Sequence, residues 1–284
     1  MEIILADYSG FCFGVEKAIT TTLETLEELS EKPGKYNIYS LGPLIHNEQV
    51  VKELANKGIQ VVEDIDDIGI GTVIIRSHGV PKEIFTIAKS KGLNIIDLTC
   101  PFVRRIQNIA EKYHKKGYRV VIIGDPEHPE VIGINGWCDN KAIIINDEKD
   151  LKRLVKFDKL CVVVQTTMSI SQYEKISKEL QGYADEIINF DTICLATKER
   201  QSAARELSSK VEAMLIIGGY HSSNTQKLVS ICKEVKSCCT YHVETIDDLP
   251  IEELKLYKTI GVTAGASTPK WIINEIIHKL RNIY

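Results

Sequence analysis

Residues 94–128 read NIIDLTCPFVRRIQNIAEKYHKKGYRVVIIGDPEH and contain the alternation that decides the fold. Asn94–Asp97 and Arg119–Ile123 are short apolar runs, as expected for strands that are covered on both faces. Between them, Val103–Lys116 has the pattern of an amphipathic helix. A strand, a helix and a second strand in this order predict a parallel sheet.

The same alternation extends over the whole chain. Further strands are predicted at Glu2–Leu5, Asn37–Ser40, Thr72–Arg76, Ala142–Ile145, Leu160–Gln165, Glu186–Phe190, Ala213–Ile217, Cys239–Val243 and Thr259–Thr263. Further helices are predicted at Gly14–Leu29, Glu48–Lys57, Pro81–Lys91, Ile170–Gln181, Thr197–Lys210, Thr225–Glu234 and Pro269–Lys279. The sequence therefore predicts an α/β protein with largely parallel sheets.

The composition of the 284 residues narrows the class of protein. The net charge is −4, with no basic tail, which argues against a nucleic-acid-binding surface. Apolar runs are far shorter than the roughly 20 residues of a membrane-spanning helix, and the N-terminus lacks the features of a signal peptide. We therefore expect a cytoplasmic protein without membrane or nucleic-acid partners. Its eight cysteines then favour metal or redox chemistry over disulfides.

Three of the cysteines fall at equivalent places in the pattern. Cys12, Cys100 and Cys194 are separated by 88 and 94 residues, and each precedes a predicted helix. His128 and Ser222 each lie 28 residues after one of these cysteines, at the end of a predicted strand. The spacing therefore indicates an internal repeat with long periods.

We predict three α/β repeats, comprising residues 1–96, 97–191 and 192–284. Ligands of open α/β sheets bind beyond the carboxyl ends of the strands. Three repeats around one centre would therefore direct their strand-end loops into one shared site.

The three cysteines suit an iron–sulfur cluster better than zinc. A thiol at a helix N-terminus is favoured as a thiolate. None of the three belongs to a CxxC pair of the kind typical of structural zinc sites. Single cysteines from separate loops can hold three corners of an iron–sulfur cube and leave one iron open to substrate. The alternative is that all three are small buried apolar residues, which is our interpretation of the other five cysteines.

Polar side chains follow the other predicted strands. They include His46, His78, His128, Thr166, Ser222, Ser223, Asn224 and Ser267, and most precede a helix start. Such donors, together with helix N-terminal N–H groups, suit a diphosphate. For the serines and the asparagine, helix capping is the alternative role.

Glu130 is the carboxylate that could move a proton. It follows His128-Pro129 at a predicted strand end, and in a closed apolar pocket its carboxyl could hold a proton that Thr166 or Thr167 relays. The alternative is a glutamate that satisfies backbone N–H groups at a helix start. The residues alone leave three functions open, namely an iron–sulfur reductase, a metal-dependent phosphate-ester hydrolase and a non-catalytic iron–sulfur sensor.

An ordered set of short motifs is more specific than any one of them. In chain order they are Gly10–Val15, Leu41–Asn47, Arg76–Val80, Asp97–Pro101, His128–Val131, Gln165–Thr167, Cys194, Ser222–Asn224 and Gly265–Pro269. Together they resemble the LytB-type family, the 4-hydroxy-3-methylbut-2-enyl diphosphate reductases that complete the methylerythritol phosphate route to isoprenoids. The resemblance covers nearly the whole chain.

This resemblance implies a fold and a set of site residues. The fold would be three similar α/β units in a pseudo-threefold trefoil around a central cavity, and Cys12, Cys100 and Cys194 would hold a 4Fe-4S cluster with one open iron. The substrate would be bound by His46, His78, His128, Thr166, Ser222, Ser223, Asn224 and Ser267. Glu130 would take part in protonation, with His128 and Thr166 nearby.

The resemblance also implies the reaction and its partners. The enzyme would remove the allylic hydroxyl reductively and give isopentenyl and dimethylallyl diphosphates. Ferredoxin or flavodoxin would supply the electrons.

Overall fold

The computed structural model describes residues 1–30, 37–235 and 238–282. Its strands are β1 (Glu2–Leu5), β2 (Ile38–Leu41), β3 (Ile59–Val62), β4 (Thr72–Ile75), β5 (Asn94–Asp97), β6 (Arg119–Ile123), β7 (Ile143–Ile145), β8 (Phe157–Val164), β9 (Ala184–Asn189), β10 (Ala213–Ile217), β11 (Cys239–Val243) and β12 (Thr259–Ala264). Its α-helices are α1 (Phe13–Ser30), α2 (Glu48–Asn56), α3 (Lys82–Ser90), α4 (Pro101–Lys115), α5 (Pro129–Gly136), α6 (Glu148–Leu151), α7 (Ile170–Leu180), α8 (Leu195–Ser208), α9 (Ser223–Lys233), α10 (Ile251–Leu254) and α11 (Lys270–Arg281). In these ranges no helix combines the length and the apolar content that crossing a membrane requires.

The strands form three four-stranded parallel sheets with one common strand order. The orders are β3-β2-β4-β5, β7-β6-β8-β9 and β11-β10-β12-β1. Within each sheet, the strands therefore lie side by side in the order second, first, third and fourth strand of that repeat. In the last sheet, β1 takes the place of the fourth strand. The predicted α/β class and the threefold repetition of one sheet are confirmed.

The repeat differs from the prediction at the N-terminus. β1 pairs with β12 in the register Glu2↔Thr259 to Leu5↔Val262, so it joins the sheet of the predicted third repeat. The edge of β12 would otherwise expose unpaired backbone groups, which β1 satisfies. The repeat boundaries at 96/97 and 191/192 stay a prediction.

Backbone contacts divide the chain into two compact units. The terminal unit comprises Met1–Val15, His46–Gln49 and Cys194–Tyr284, and it contains the sheet of β1, β10, β11 and β12. The middle unit comprises Glu16–Ile45 and Val50–Ile193, and it contains the other two sheets.

Both faces of the sheets are covered by apolar side chains, as the uninterrupted apolar runs predict. On β10, Leu215 and Ile217 belong to one buried cluster, whereas Met214 and Ile216 belong to another. The same alternation occurs on β6 and β8. This period of two places helices on both sides of each sheet and leaves the strand ends as the open positions.

Several short elements lie outside the predicted pattern. The edge strand β3 has two exposed residues, Gln60 and Val61, so it lacks the apolar run of a covered strand. Helix α5 begins with Pro129 at its first position and has His128 as its N-cap. Its two glycines weaken the helical signal, and this range is not among the predicted helices.

The strand ends deliver chemically similar residues in all three sheets. The first strands, β2, β6 and β10, are each followed five residues later by His46, His128 or Ser222. The third strands, β4, β8 and β12, are followed within three residues by His78, Thr166 or Ser267. The fourth strands, β5, β9 and β1, precede Cys100, Cys194 and Cys12. First and third strands flank the point where the strand order reverses, which is where open α/β sheets bind ligands.

Candidate functional site

The predicted site residues fall into two groups, one in each compact unit. The terminal unit contains Cys12, His46, Cys194, Ser222, Ser223, Asn224 and Ser267. The middle unit contains His78, Cys100, His128, Glu130 and Thr166.

In the middle unit, Glu130 and Thr166 form a buried pair at the ends of β6 and β8. Glu130 is 2% exposed. Its Oε1 accepts from the backbone N–H of Thr166 at 2.7 Å, and its Oε2 is 2.6 Å from the Thr166 hydroxyl. Burial raises the pKa of the Glu130 carboxyl to about 7, although both hydrogen bonds from Thr166 act to lower it. The carboxyl can therefore gain or lose a proton near neutral pH.

His128 is fixed beside this pair. As the N-cap of α5, it accepts the backbone N–H of Glu130 on its Nδ1 at 3.1 Å. A neutral His128 therefore carries its proton on Nε2. The ring of His78 meets the His128 ring edge-on, with 5.4 Å between the ring centroids. The two imidazoles thus lie at the same end of the middle unit as the Glu130 carboxyl.

Gln165 supports these loops, a role that the sequence does not predict. Its Oε1 accepts from the backbone N–H of Asp125 at 3.0 Å, and its Nε2 donates to the Thr167 hydroxyl at 2.9 Å. One amide therefore connects the loop after β6 with the loop after β8. Its place directly after β8 indicates a position at the strand ends, but not which two loops it connects.

In the terminal unit, the start of α9 is a group of buried donors. Ser222 is the N-cap, and its Oγ accepts from the Thr225 N–H at 3.4 Å. Asn224 Nδ2 and Thr225 Oγ1 are buried and have no hydrogen-bond partner in the described part of the chain. Unpaired buried donors at a helix N-terminus fit an anion, because the free N–H groups and the helix dipole act in the same direction.

Glycines allow the backbone to approach this helix start closely. A Cβ at Gly265 would lie 2.1 Å from Thr225 Oγ1, and a Cβ at Gly218 would lie 2.7 Å from the same oxygen. Gly218 also has a φ of +150°, which side-chain-bearing residues rarely adopt. Glycine is therefore required at both positions.

His46 is held against the same loops through its backbone. Its carbonyl oxygen accepts from Ser267 Oγ at 3.0 Å, and a Cβ at Gly219 would lie 2.8 Å from that oxygen. The loops after β10 and β12 therefore meet the segment that contains His46. Because Ser267 donates its hydroxyl proton to His46, the hydroxyl must rotate before it can donate to a ligand.

The cysteines differ in burial: four are buried, Cys239 is exposed, and the three predicted ligands are intermediate. All eight carry thiols rather than disulfides. Burial raises the pKa of Cys138 and Cys161 to about 12 and that of Cys238 to about 11. These thiols are poor metal ligands, because the ligand form is the thiolate.

The three predicted ligands differ from these buried thiols. Cys12, Cys100 and Cys194 are partly exposed, and each stands immediately before a helix, at the start of α1, α4 or α8. A helix N-terminus favours a thiolate. The donor chemistry therefore fits an iron–sulfur cluster. That all three hold the same cluster stays a prediction.

Two polar residues beside the cysteines are not predicted by the sequence. Thr197 Oγ1 lies 3.1 Å from Cys194 Sγ. Arg200, also on α8, is 5% exposed. Burial lowers the pKa of its guanidinium, and electrostatic interactions with Cys12, Cys194 and Glu199 oppose this shift. Two predicted ligand cysteines thus interact with one buried cation within the terminal unit.

Comparison with known proteins gives full-length matches. The LytB protein family model matches residues 3–281. A protein of Alkaliphilus oremlandii named 4-hydroxy-3-methylbut-2-enyl diphosphate reductase is 54% identical over 283 residues, which cover 100% of both chains. A protein of Clostridioides difficile with the same name is 47% identical over 287 residues and also covers 100% of both chains.

Solved structures agree with these matches. The structure of the E-1-hydroxy-2-methyl-but-2-enyl-4-diphosphate reductase from Plasmodium falciparum has a TM-score of 0.90 and 31% identity, covering 99% of this chain and 88% of that one. A second structure, described as (E)-4-hydroxy-3-methyl-but-2-enyl diphosphate reductase, the terminal enzyme of the non-mevalonate pathway, has a TM-score of 0.70 and 37% identity. It covers 99% of this chain and 100% of that one.

The burial of Glu130 predicts a specific pH dependence of stability. Its folded-state pKa of about 7 lies above the ordinary value of 4.5, so the folded state favours the protonated carboxyl. The free energy of unfolding should therefore fall as pH rises from about 4.5 to about 7, by about 3 kcal/mol at 1.36 kcal/mol per pKa unit. Glu130→Gln should remove this fall, because the amide mimics the protonated form.

Urea unfolding of the cofactor-free chain at pH 5 and pH 8 checks this prediction. Glu127→Gln, at an exposed carboxylate in the same loop, is the matched control and should follow the wild type. Equal pH dependence in the wild type and Glu130→Gln would contradict it.

Proposed function

The chain belongs to the LytB protein family, and we propose that it reduces 4-hydroxy-3-methylbut-2-enyl diphosphate to isopentenyl and dimethylallyl diphosphates. This is the last step of the methylerythritol phosphate route. The bond between the allylic carbon and its hydroxyl oxygen breaks, and two electrons and two protons are consumed. One proton leaves with the oxygen as water, and the other adds to one of the two ends of the allyl group, which gives two products.

The observation that carries this proposal is the full-length match to proteins named as this reductase. Of the three functions left open by the residues, these names support the reductase over the phosphate-ester hydrolase and the iron–sulfur sensor. The three partly exposed cysteines agree, because a hydrolase has no need of three thiols at helix starts.

We infer that Cys12, Cys100 and Cys194 hold a 4Fe-4S cluster with one iron open to substrate. Three thiols at helix starts supply the ligands, while the buried thiols are unsuited to the role. When bound, the cluster supplies the electrons and a Lewis-acid site for the allylic hydroxyl.

The start of α9 is the proposed centre of diphosphate binding. Asn224 offers its unpaired amide, and the first turn offers backbone N–H groups with the positive end of the helix dipole. Ser222 and Ser223 add hydroxyls. We assign His46, His78, His128 and Ser267 to the same substrate by their equivalent places after first and third strands. Binding at several fixed donors orients the short substrate before reaction.

Glu130 is the proposed proton source. With a pKa of about 7, its carboxyl is protonated in about half of the molecules at neutral pH. The 2.6 Å contact between its Oε2 and the Thr166 hydroxyl allows that hydroxyl to take one proton and release another. Because its Nδ1 accepts from the Glu130 backbone N–H, a neutral His128 has its proton on Nε2, and we propose that this proton is donated to substrate oxygen.

The electron donor and the cellular location belong to the same proposal. We expect ferredoxin or flavodoxin to reduce the enzyme, since the reaction needs electrons at low potential. A cytoplasmic location fits eight cysteines that all carry thiols.

Activity and cofactor content test the proposed function together. Anaerobically purified protein should contain iron and sulfide and turn over the hydroxylated diphosphate with a reduced dye. Replacing a ligand cysteine by serine should remove most of the iron and most of the activity, because a hydroxyl does not replace a thiolate ligand. The three variants are Cys12→Ser, Cys100→Ser and Cys194→Ser. Cys239→Ser, at an exposed cysteine, is the control and should keep both. Full iron and activity in any of the three ligand variants would contradict the assignment.

Removing the Asn224 amide should weaken substrate binding. A lost hydrogen bond to a charged group costs about 1.5–3 kcal/mol, so Asn224→Ala should raise KM about 10- to 100-fold. The neighbouring Gln226→Ala is a suitable control, because Gln226 is exposed on the same helix and donates to the Tyr220 carbonyl. Steady-state kinetics of both variants check this prediction. Equal KM values for Asn224→Ala and Gln226→Ala would show that Asn224 does not bind the substrate.

Glu130→Gln should separate proton delivery from binding. The amide can keep the hydrogen bonds to Thr166 but cannot release a proton, so kcat should fall about 10²- to 10⁴-fold. Iron content should stay at the wild-type value. Single-turnover measurements on the iron-loaded variant check this, and an unchanged rate would exclude Glu130 as the proton source.

A further inference from the structure

Arg200 is a buried cation that the proposed mechanism does not use. It lies on α8, six residues after Cys194, and is 5% exposed. Its acceptors in the described part of the chain are two neutral carbonyl oxygens, and its Nε has no partner there. The Glu199 carboxylate acts on the guanidinium through space, but more weakly than Cys12 and Cys194. A buried guanidinium without a hydrogen-bonded carboxylate is costly unless other negative charge compensates it.

The contacts of Arg200 join two cysteine segments. One terminal nitrogen donates to the carbonyl of Ala196 at 3.0 Å, in the first turn after Cys194. The other donates to the carbonyl of Gly10 at 2.7 Å, two residues before Cys12. Because the guanidinium is planar and its donors are fixed in a fork, these two bonds hold the segments at one separation.

Glycine at position 10 is part of this arrangement. Gly10 has a φ of +90°, and a Cβ there would lie 3.1 Å from Ile273 and 3.3 Å from the Thr268 carbonyl. Cys12 is fixed further by its N–H, which donates to the Ala266 carbonyl at 3.2 Å. The Cys12 segment is therefore held on one side by the loop after β12 and on the other by Arg200.

The compensating negative charge is available from the cysteines themselves. Cys12 and Cys194 both interact electrostatically with the guanidinium, and Glu199 does so more weakly. A cluster held by three thiolates has a net negative charge, and one-electron reduction makes that charge larger. A fixed positive charge beside it therefore favours the reduced state.

We propose that Arg200 is a positioning residue that holds the Cys12 and Cys194 segments together and compensates the negative charge of the cluster they bind. This inference rests on the proposed cofactor. It assigns two separable effects to one side chain, because the fork sets the geometry of two ligands and the charge sets the reduction potential.

Two variants separate the effects. Arg200→Met removes charge and fork at similar length, whereas Arg200→Lys keeps the charge and loses the fork. Arg205→Met is the matched control, since Arg205 is exposed on the same helix and pairs with Glu234. Each anaerobically reconstituted protein is analysed for iron and sulfide, for the rate of iron loss to a chelator and for midpoint potential by EPR-monitored titration. Circular dichroism checks folding.

Arg200→Met should move the midpoint potential to more negative values, lowering the ratio of reduced to oxidised cluster at a fixed potential at least tenfold, or about 59 mV for one electron. Arg200→Lys should keep a potential close to that of the wild type but lose iron to the chelator several-fold faster. Arg205→Met should match the wild type in both measurements.

The outcomes distinguish this inference from the proposed function. A wild-type chain that binds no iron and sulfide overturns both. A wild-type chain with a cluster, and Arg200→Met with an unchanged potential, overturns the charge compensation alone. If Arg200→Met does not fold, Arg200→Lys still decides the positioning role, because a wild-type rate of iron loss in that variant overturns it.

Discussion

Parallel strands joined by crossover helices bring all the carboxyl ends of a sheet to one edge, and this constraint organises the whole chain. Each of the three sheets places its first and third strands side by side, so the connections that leave them turn to opposite faces. The residues that follow these strands lie outside the apolar layers between sheet and helices. Polar side chains are therefore tolerated there, and these are the positions where they occur. The fourth strand, at the edge, leads in each case to a cysteine before a helix. The chemistry thus follows from strand order.

Much of this arrangement can be predicted from the sequence, because it depends on local patterns. β6 and β10 have the predicted bounds, since uninterrupted apolar runs of this length occur only where helices cover both faces. The equivalence of Cys12, Cys100 and Cys194 can be seen in the sequence, because the same order of strands and helices recurs after a nearly constant number of residues. The strand β1 is harder, because nothing within Glu2–Leu5 indicates that its partner is β12, more than 250 residues away.

The supporting residues cannot be predicted in the same way. Arg200 lies in the polar stretch Thr197–Arg200, and only the folded structure shows that its guanidinium is buried while Lys198 and Glu199 are partly exposed. Gln165 likewise gains its role from the separation of two loops, which no sequence spacing gives. A residue that acts through its own chemistry, such as a cysteine, can be recognised by type. A residue that acts by holding another is recognised only by its contacts.

The same groups show where stability is given up for function. The Glu130 carboxyl is buried with a raised pKa, Asn224 Nδ2 and Thr225 Oγ1 have no partner in the described chain, and Arg200 Nε is also unpaired. Each of these costs free energy in the unliganded protein, because buried polar groups are normally hydrogen-bonded. For the donors of Asn224, Thr225 and Arg200, the cost is recovered when a negatively charged group binds beside them, so ligand binding and folding stability are coupled. A sequence selected for stability alone would place apolar side chains at these strand ends, as it does along the strands themselves.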